Sequence, residues 1–222
     1  MFPLKDDSPR KTFPIINLLL IIINITVFII QLGVSNYEGF ISQYGFIPSQ
    51  FNLTHQQAYI PLLSSLFLHG GILHLLANMW FLHIFGDNIE DRLGHLRYLI
   101  FYVLAGIAAA FSQYMLDPSS SIPMIGASGA ISGVSGAYFV LFRNSRILSL
   151  VVLGFLITTT KVPAWIFLGI WFVIQLFSGF GSLAQVQSGG GIAFFAHIGG
   201  FVFGYLFIKL FYREKEISTE LA

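Results

Sequence analysis

Cysteine is absent from the sequence, which excludes disulfide bonds, thiol nucleophiles and metal centres bound by cysteine. Charge is scarce as well, because lysine, arginine, aspartate and glutamate together make up only 9% of the 222 residues, and the net charge is +1. The sequence has no basic tract of the kind that nucleic-acid binding requires. We therefore expect neither a disulfide framework nor a nucleic-acid partner.

Hydrophobic residues dominate instead, at 55% of the chain with a mean hydropathy of +0.78. Apolar runs long enough to cross about 30 Å of hydrocarbon occur at about 14–34, 62–85, 97–116, 126–142, 162–180 and 192–212. The first run is too long for the core of a signal peptide, and no small-residue cleavage site follows it. The sequence predicts an all-α polytopic membrane protein with six transmembrane helices.

The positive charges indicate how these helices are oriented. If the short segment 147–159 lies at one interface and does not span, all eleven lysine and arginine residues fall on one side of the membrane. By the positive-inside rule that side is the cytoplasm, so both termini are cytoplasmic. The predicted organisation is a cytoplasmic arm at 1–12, a six-span core at 13–212 and a cytoplasmic tail at 213–222. The mixed charges of 86–92 predict a solvated cytoplasmic turn between the second and third spans.

Strongly polar side chains within predicted spans are costly and suggest function. They are His69, His74 and Asn78 in the second span, Ser128 in the fourth and His197 in the sixth. Counting towards the cytoplasmic end gives 12 residues from His74 to Gly86, 15 from Ser128 to Arg143 and 16 from His197 to Arg213. At 1.5 Å per residue these distances are about 18–24 Å, so the three groups share one layer in the outer half of the membrane.

Small residues predict that the fourth and sixth spans pack closely. Gly126, Gly129, Gly133 and Gly136 form one stripe, and Ala196, Gly200 and Gly204 form a second one. In lipid, such stripes let two helices approach to backbone contact. This packing would bring His197 against Ser128.

A serine hydroxyl becomes a good nucleophile when a neutral histidine lies within hydrogen-bonding distance. No aspartate or glutamate is predicted at the depth of Ser128 and His197, so we expect a dyad and not a triad. The Ser128 backbone N–H, at a helix start, and the side chains of His74 and Asn78 would stabilise the oxyanion that forms when an amide is attacked.

The same residues admit other interpretations. The Gly126–Gly129 stretch could be a packing motif with an incidental serine, and histidines on neighbouring helices could bind zinc. The histidines lack metalloprotease spacing, however, and Asp87 has no second intramembrane aspartate for an aspartyl protease. We interpret His83 as a surface histidine, Gln31 and Gln175 as polar packing residues, and Trp171 as lipid-facing or interfacial.

Several motifs together resemble the rhomboid intramembrane serine proteases. They are Gly126-Ala127-Ser128-Gly129, His69-x4-His74-x3-Asn78, Ala196-His197-x2-Gly200-x3-Gly204 and the run from Phe85 to Gly94. The resemblance implies Ser128 as nucleophile, His197 as general base, and His74 and Asn78 as oxyanion donors. It also implies a structural position at Glu90, and a fifth span and outward loop, 162–191, that move to admit substrate. We interpret His69, which belongs to the matched run, as a structural donor under the first outward loop. Some family members stack a tyrosine on the catalytic histidine from one turn after the nucleophile, where this chain has Ser132.

The sequence therefore predicts an intramembrane serine endopeptidase that cuts membrane-spanning protein substrates without a metal or other cofactor. We expect it in a bacterial inner membrane, with its site opening to the outer face. Two alternatives stay open: a catalytically silent rhomboid-like protein that binds membrane helices, and a small-solute channel lined by histidines. The oligomeric state is left open too.

Overall fold

The computed structural model describes residues 1–52, 54, 59–183 and 194–212 of the chain. These residues form a bundle of α-helices with a small β-sheet. The helices are α1 (Ile15–Leu32), α2 (Tyr37–Tyr44), α3 (Tyr59–Ser64), α4 (Ile72–Leu93), α5 (His95–Leu116), α6 (Ser128–Leu141), α7 (Ala164–Leu183) and α8 (Phe194–Phe211). The strands are β1 (Phe2–Asp6), β2 (Arg146–Leu153) and β3 (Leu156–Pro163). The predicted tail 213–222 and most of the predicted outward loop 181–191 lie outside the described residues.

Most of the long helices have the length and composition of membrane spans. Within the described part of the chain, α1, α5, α7 and α8 are each apolar over at least 18 residues. The helical pair Tyr59–Phe67 and α4 would form a fifth span, although the two helices meet at 86°. Helix α6 is apolar but shorter, at 14 residues. The chain is thus a helical membrane protein, as its composition predicted.

The predicted second span, 62–85, is wrong in its shape and its extent. The chain bends between Leu68 and Gly71, and α4 then continues to Leu93. The stretch 86–92, predicted as a solvated turn, is therefore helical. The reason is that its apolar residues continue the helical period, and Leu82, Phe85, Ile89 and Leu93 are all buried.

Glu90 explains why a charged stretch can lie inside the bundle. The start of α1 has no side-chain cap of its own, because Pro14 occupies the capping position. The fully buried Glu90 carboxylate accepts hydrogen bonds from the backbone N–H groups of Ile16, at 2.9 Å, and Asn17, at 2.7 Å. His95 Nδ1 contacts the same carboxylate. Helix α4 thereby supplies the cap that α1 lacks.

Helix α6 lies at the centre of the bundle. All residues from Gly129 to Tyr138 are buried, and the helix packs against α4, α5 and α8. Helix α7 lies at the periphery against α8 and α6, and exposes apolar side chains such as Ile174 and Phe177. Apolar side chains of α1 are exposed in the same way. This distribution suits a bundle whose outer surface meets lipid.

The three-stranded antiparallel sheet, in the order β1-β2-β3, is a feature that the sequence analysis missed. The segment 147–159, predicted to lie at an interface, forms most of a hairpin whose turn contains Gly154 with φ +61°. Strand β1, in the predicted N-terminal arm, pairs with β2 through Phe2 opposite Leu150 and Asp6 opposite Ile147. The N-terminus is therefore held at the end of the bundle where α6 finishes.

Candidate active site

The two residues predicted as a dyad lie side by side in the structure. Ser128 is the first residue of α6, and His197 lies in the first turn of α8. The His197 Nε2 atom is 2.8 Å from the Ser128 Oγ atom, a normal hydrogen-bond distance. A histidine in this position can remove the hydroxyl proton as the oxygen attacks an electrophile.

Backbone contact between α6 and α8 creates this proximity. A Cβ atom added to Gly200 would collide with the carbonyl oxygen of Gly129, and one added to Gly204 would collide with that of Gly133. A Cβ at Gly136 would likewise meet the carbonyl oxygen of Phe201. Because backbone atoms cannot rotate away as a side chain can, these glycines set the distance between the two helices. The small-residue stripes in the sequence correspond to this contact.

His74 and Asn78 lie beside the turn that leads into Ser128. Gly126 has φ +123°, a backbone conformation that suits glycine. A Cβ atom at this position would lie 2.8 Å from both Cε1 and Nε2 of His74 and 3.6 Å from Nδ2 of Asn78. The Gly126 N–H donates to the Ser65 carbonyl at 2.9 Å, which anchors the turn. Glycine is therefore required at 126 both by its backbone angle and by the approach of the His74 ring.

The hydrogen-bonding state of these two side chains favours a role as donors. The Gly70 N–H donates to His74 Nδ1 at 3.4 Å, so in the neutral ring Nε2 carries the hydrogen and faces Gly126. Asn78 Nδ2 is buried and has no acceptor among the described residues. A buried donor without an acceptor is costly, which makes it ready to bind an oxygen that arrives with a substrate.

Helix ends add to this positive environment. His74, Ser128 and His197 all lie in the first turn of their helices, α4, α6 and α8 respectively. The N–H groups of a first helical turn have no acceptor within their own helix, and the helix dipole is positive at that end. The first turn of α8 thus meets the Ser128 hydroxyl directly, and the first turn of α4 lies beside Gly126, two residues before Ser128. Donors at such positions suit a developing oxyanion.

His69 supports His74 through packing. Its ring is fully buried and lies edge-on to the rings of His74, at 5.1 Å between centroids, and Phe28, at 6.5 Å. The amide of Gln31 pairs with the backbone N–H and C=O of His69, so Gln31 joins α1 to this segment as expected of a polar packing residue. Neither His69 ring nitrogen has a partner in the described part of the chain.

Two residues of α7 belong to the site, although the sequence analysis interpreted them otherwise. Gln175 was interpreted as a packing residue, yet its Oε1 atom is 2.8 Å from Nδ1 of His197. Trp171 was interpreted as lipid-facing or interfacial, yet its ring lies 6.1 Å from the His197 ring, with 37° between the planes. The contact of Gln175 is that of a polar packing residue between two helices, but it also places Gln175 at the site. The interpretation of Trp171 was wrong, because α7 turns this face towards α8 and the half-buried ring packs against the core.

A signal for Gln175 was present in the sequence. Lys161 and Gln175 are 14 residues apart (175 − 161), which at the helical rise used for the other spans is about 21 Å, although α7 itself begins only at Ala164. That depth matches the layer found for Ser128 and His197, and Gln175 is a strongly polar residue in an apolar helix. By contrast, Ser132 donates from Oγ to the Ser128 carbonyl at 2.7 Å and so bonds within its own helix.

Glu90 and His83, which the sequence also singled out, lie away from Ser128. Glu90 lies near the opposite end of α4 from His74, where it caps α1. His83 is exposed, as expected of a surface histidine, and is not among the residues around Ser128. In the part of the chain that the structure describes, histidine and acidic side chains form no cluster of three that could hold a metal ion.

Comparison with known proteins gives a consistent family assignment. A family model described as Rhomboid domain matches residues 56–214. The chain is 33% identical over 144 residues to RHOMBOID-like protein 5 of Arabidopsis thaliana, covering 65% of this chain and 41% of that protein. It is 39% identical over 88 residues to the putative rhomboid protease YdcA of Bacillus subtilis (39% of this chain, 44% of that protein). It is 29% identical over 213 residues to the rhomboid protease GluP of the same bacterium (91% and 37%). In each case the match spans less than half of the relative's length.

Proposed function

The chain belongs to the rhomboid family, and from that premise we propose that it is an intramembrane serine endopeptidase. The main observation behind the proposal is the 2.8 Å contact between Ser128 Oγ, at the start of α6, and His197 Nε2, in the first turn of α8. A protein that only binds membrane helices has no need of a serine and a histidine in this relation. Rhomboid membership is compatible with either role, so the proposal depends on the geometry.

The reaction begins with the Ser128 hydroxyl. As Oγ attacks the carbonyl carbon of a peptide bond, its proton passes to Nε2 of His197, and the carbonyl oxygen acquires a negative charge. The Ser128 N–H, the His74 Nε2–H and the Asn78 side-chain amide are the donors for that charge. Because these groups are held in place before the reaction, they stabilise the intermediate without having to reorganise.

The same two residues complete the cycle. When the tetrahedral intermediate collapses, the C–N bond breaks and His197 returns the proton to the departing amine, leaving an ester on Ser128. A water molecule then attacks the ester while His197 takes one of its protons. The second collapse releases the new carboxylate and regenerates the Ser128 hydroxyl.

The structure also supports a proposal for topology. The N-terminal strand β1 pairs with β2, and Arg10 forms an ion pair with Asp87 near the end of α4, so these segments lie at one end of the bundle. Ser128 lies at the opposite end of α6. With the positive charges in the cytoplasm, both termini are cytoplasmic, six segments cross the membrane, and the site opens towards the outer face of a bacterial inner membrane.

The proposed substrates are membrane-spanning proteins cut in or near their helices. A helical backbone uses its carbonyl groups in its own hydrogen bonds, so a cleavable segment must unwind before Ser128 can reach it. We therefore expect cleavage near helix-weakening residues, with access for the substrate past α7 and the outward loop.

Labelling with a fluorophosphonate tests the chemistry without a known substrate. We expect purified wild-type protein in detergent to be labelled and Ser128→Ala and His197→Ala to remain unlabelled. Ser132→Ala is the matched control, because it removes a hydroxyl one turn along the same helix, and it should be labelled like wild type. Absence of labelling in folded wild-type protein would instead favour the silent helix-binding function.

A further inference from the structure

His197 uses both of its ring nitrogens, and only one of them contacts Ser128. The other nitrogen, Nδ1, lies 2.8 Å from Oε1 of Gln175 on α7. The rhomboid motifs in the sequence do not include Gln175, and a Ser–His dyad does not require it. The contact therefore needs an explanation of its own.

The chemistry of the imidazole provides one. A neutral imidazole carries one hydrogen, so one nitrogen donates and the other accepts. The Gln175 carbonyl oxygen can only accept, which places the hydrogen on Nδ1 of His197. Nε2 is then left with its lone pair facing the Ser128 hydroxyl, as a general base must be. With the hydrogen on Nε2 instead, His197 would donate to Ser128 and could not activate it.

The orientation of the ring has the same origin. Trp171 lies one turn before Gln175 on α7, and residues at i and i+4 share a helical face. Its indole packs beside the His197 ring, with 6.1 Å between centroids. Ser132 occupies the position where some rhomboid proteases carry a stacking tyrosine, but its hydroxyl donates to the Ser128 carbonyl within the same helix. The packing contact with the His197 ring therefore comes from α7. One face of α7 thus supplies both a hydrogen-bond acceptor and a packing surface.

We propose that Gln175 is a positioning residue for the reaction, holding His197 in the tautomer and orientation that activate Ser128, as a carboxylate does in a catalytic triad. This inference rests on the proposed function of Ser128 and His197. It makes the reactive serine dependent on α7, a helix that belongs to neither half of the dyad. Loss of the acceptor should slow serine activation without removing either reacting group.

The test compares labelling rates among matched glutamine variants. Gln175→Leu keeps the size of the side chain and removes the acceptor, and it should reduce the fluorophosphonate labelling rate by about 10- to 100-fold, a part of what a general base contributes. Gln175→Glu restores an acceptor and should recover most of the rate. Gln113→Leu is the control: its Oε1 has no partner in the described part of the chain, and the rate should not change.

A second measurement reads the tautomer directly. Protein containing ¹⁵N-labelled histidine is examined by NMR at neutral pH, and the His197 signals are assigned by their absence in His197→Ala. We expect the hydrogen on Nδ1 in wild type and a mixture of tautomers in Gln175→Leu. A role in packing alone would not shift this equilibrium.

The outcomes separate the two proposals. Wild-type protein that is not labelled refutes the proposed protease, while the tautomer measurement still decides the role of Gln175. Labelling of Gln175→Leu at the wild-type rate refutes the positioning role and leaves the protease standing. If the Gln175 variants fail to fold, a wild-type His197 with its hydrogen on Nε2 overturns the inference, and a hydrogen on Nδ1 upholds it.

Discussion

Replacing Glu90 with glutamine removes one charge from the interior of the bundle and leaves the shape of the side chain intact. In the wild type, the two carboxylate oxygens accept from the backbone N–H groups of Ile16 and Asn17 at 2.9 and 2.7 Å. A glutamine offers one oxygen and one NH₂ group. It can satisfy one of these N–H groups, but it turns a donor towards the other.

The expected loss of stability follows from that count. A hydrogen bond to a charged acceptor contributes about 1.5–3 kcal/mol, and a buried donor left without an acceptor costs a comparable amount. Because the two effects partly describe the same loss, we expect Glu90→Gln to destabilise the protein by about 2–4 kcal/mol. Glu90→Ala, which removes both acceptors, should cost about 3–5 kcal/mol.

Asp91 is the matched control. It also accepts backbone bonds from the segment before α1, at 2.7 Å from Thr12 N and 3.2 Å from Lys11 N, but these bonds are exposed to solvent. Asp91→Asn should therefore cost at most about 1 kcal/mol. Unfolding free energies measured in mixed micelles compare the variants. Equal losses for Glu90→Gln and Asp91→Asn would refute the reasoning, since both carboxylates accept two backbone N–H bonds and Glu90 differs chiefly in being buried, apart from the contacts of Glu90 with His95 and of Asp91 with the Thr12 hydroxyl.

Two further predictions concern helix packing and the N-terminal strand. Gly204→Ala places a methyl group against the Gly133 carbonyl, and it should lower the free energy of unfolding by about 1–3 kcal/mol and lower the fluorophosphonate labelling rate. Gly169→Ala is the control and should be tolerated, because the nearest atom to its added methyl group is 3.8 Å away. Equal stability and equal labelling rates for the two variants would contradict backbone contact between α6 and α8. Burial raises the pKa of Asp6 above its ordinary value, against opposing hydrogen bonds from Tyr138 and Ser8. The unfolded state thus ionises first, and the energetic cost of Asp6 in the folded state grows as pH rises above the ordinary range of a carboxyl group. Asp6→Asn should therefore gain stability relative to wild type as pH rises from acid towards neutral, and a difference in unfolding midpoint that does not change with pH would exclude this effect.

Depth along the membrane made much of the site predictable. A helix rises by a fixed 1.5 Å per residue, so counting towards the predicted cytoplasmic ends placed His74, Ser128 and His197 in one layer without knowledge of the fold. The end used for His74, Gly86, lies inside α4 in the structure, so the count was sound only for Ser128 and His197. The same count applies to Gln175, but a residue at that depth belongs to the site only if the rotation of α7 about its axis turns the residue towards α8. A peripheral helix with apolar residues on all sides carries little information about its rotation, and the glutamine was therefore interpreted as a packing residue.

The end of the bundle that carries the sheet was less predictable. The apolar period that continues from Leu82 to Leu93 competes with a cluster of charges, and the charges suggested a turn. The structure follows the apolar period, because Glu90 finds its partners on α1. Strand β1 pairs with β2, far away in the chain, and local sequence cannot identify such a partner.

The sequence by itself determined the membrane class, the positions of the long helices other than α4, the small-residue stripes of α6 and α8, and the layer shared by Ser128 and His197. Those features depend on composition, local period and helical rise, all of which act over short stretches of chain. Only the tertiary structure decided the bend before α4, the capping of α1 by Glu90, the three-stranded sheet and the contact of Gln175 with His197. Each of these depends on how separate segments are rotated and paired, which long-range packing fixes and local sequence does not.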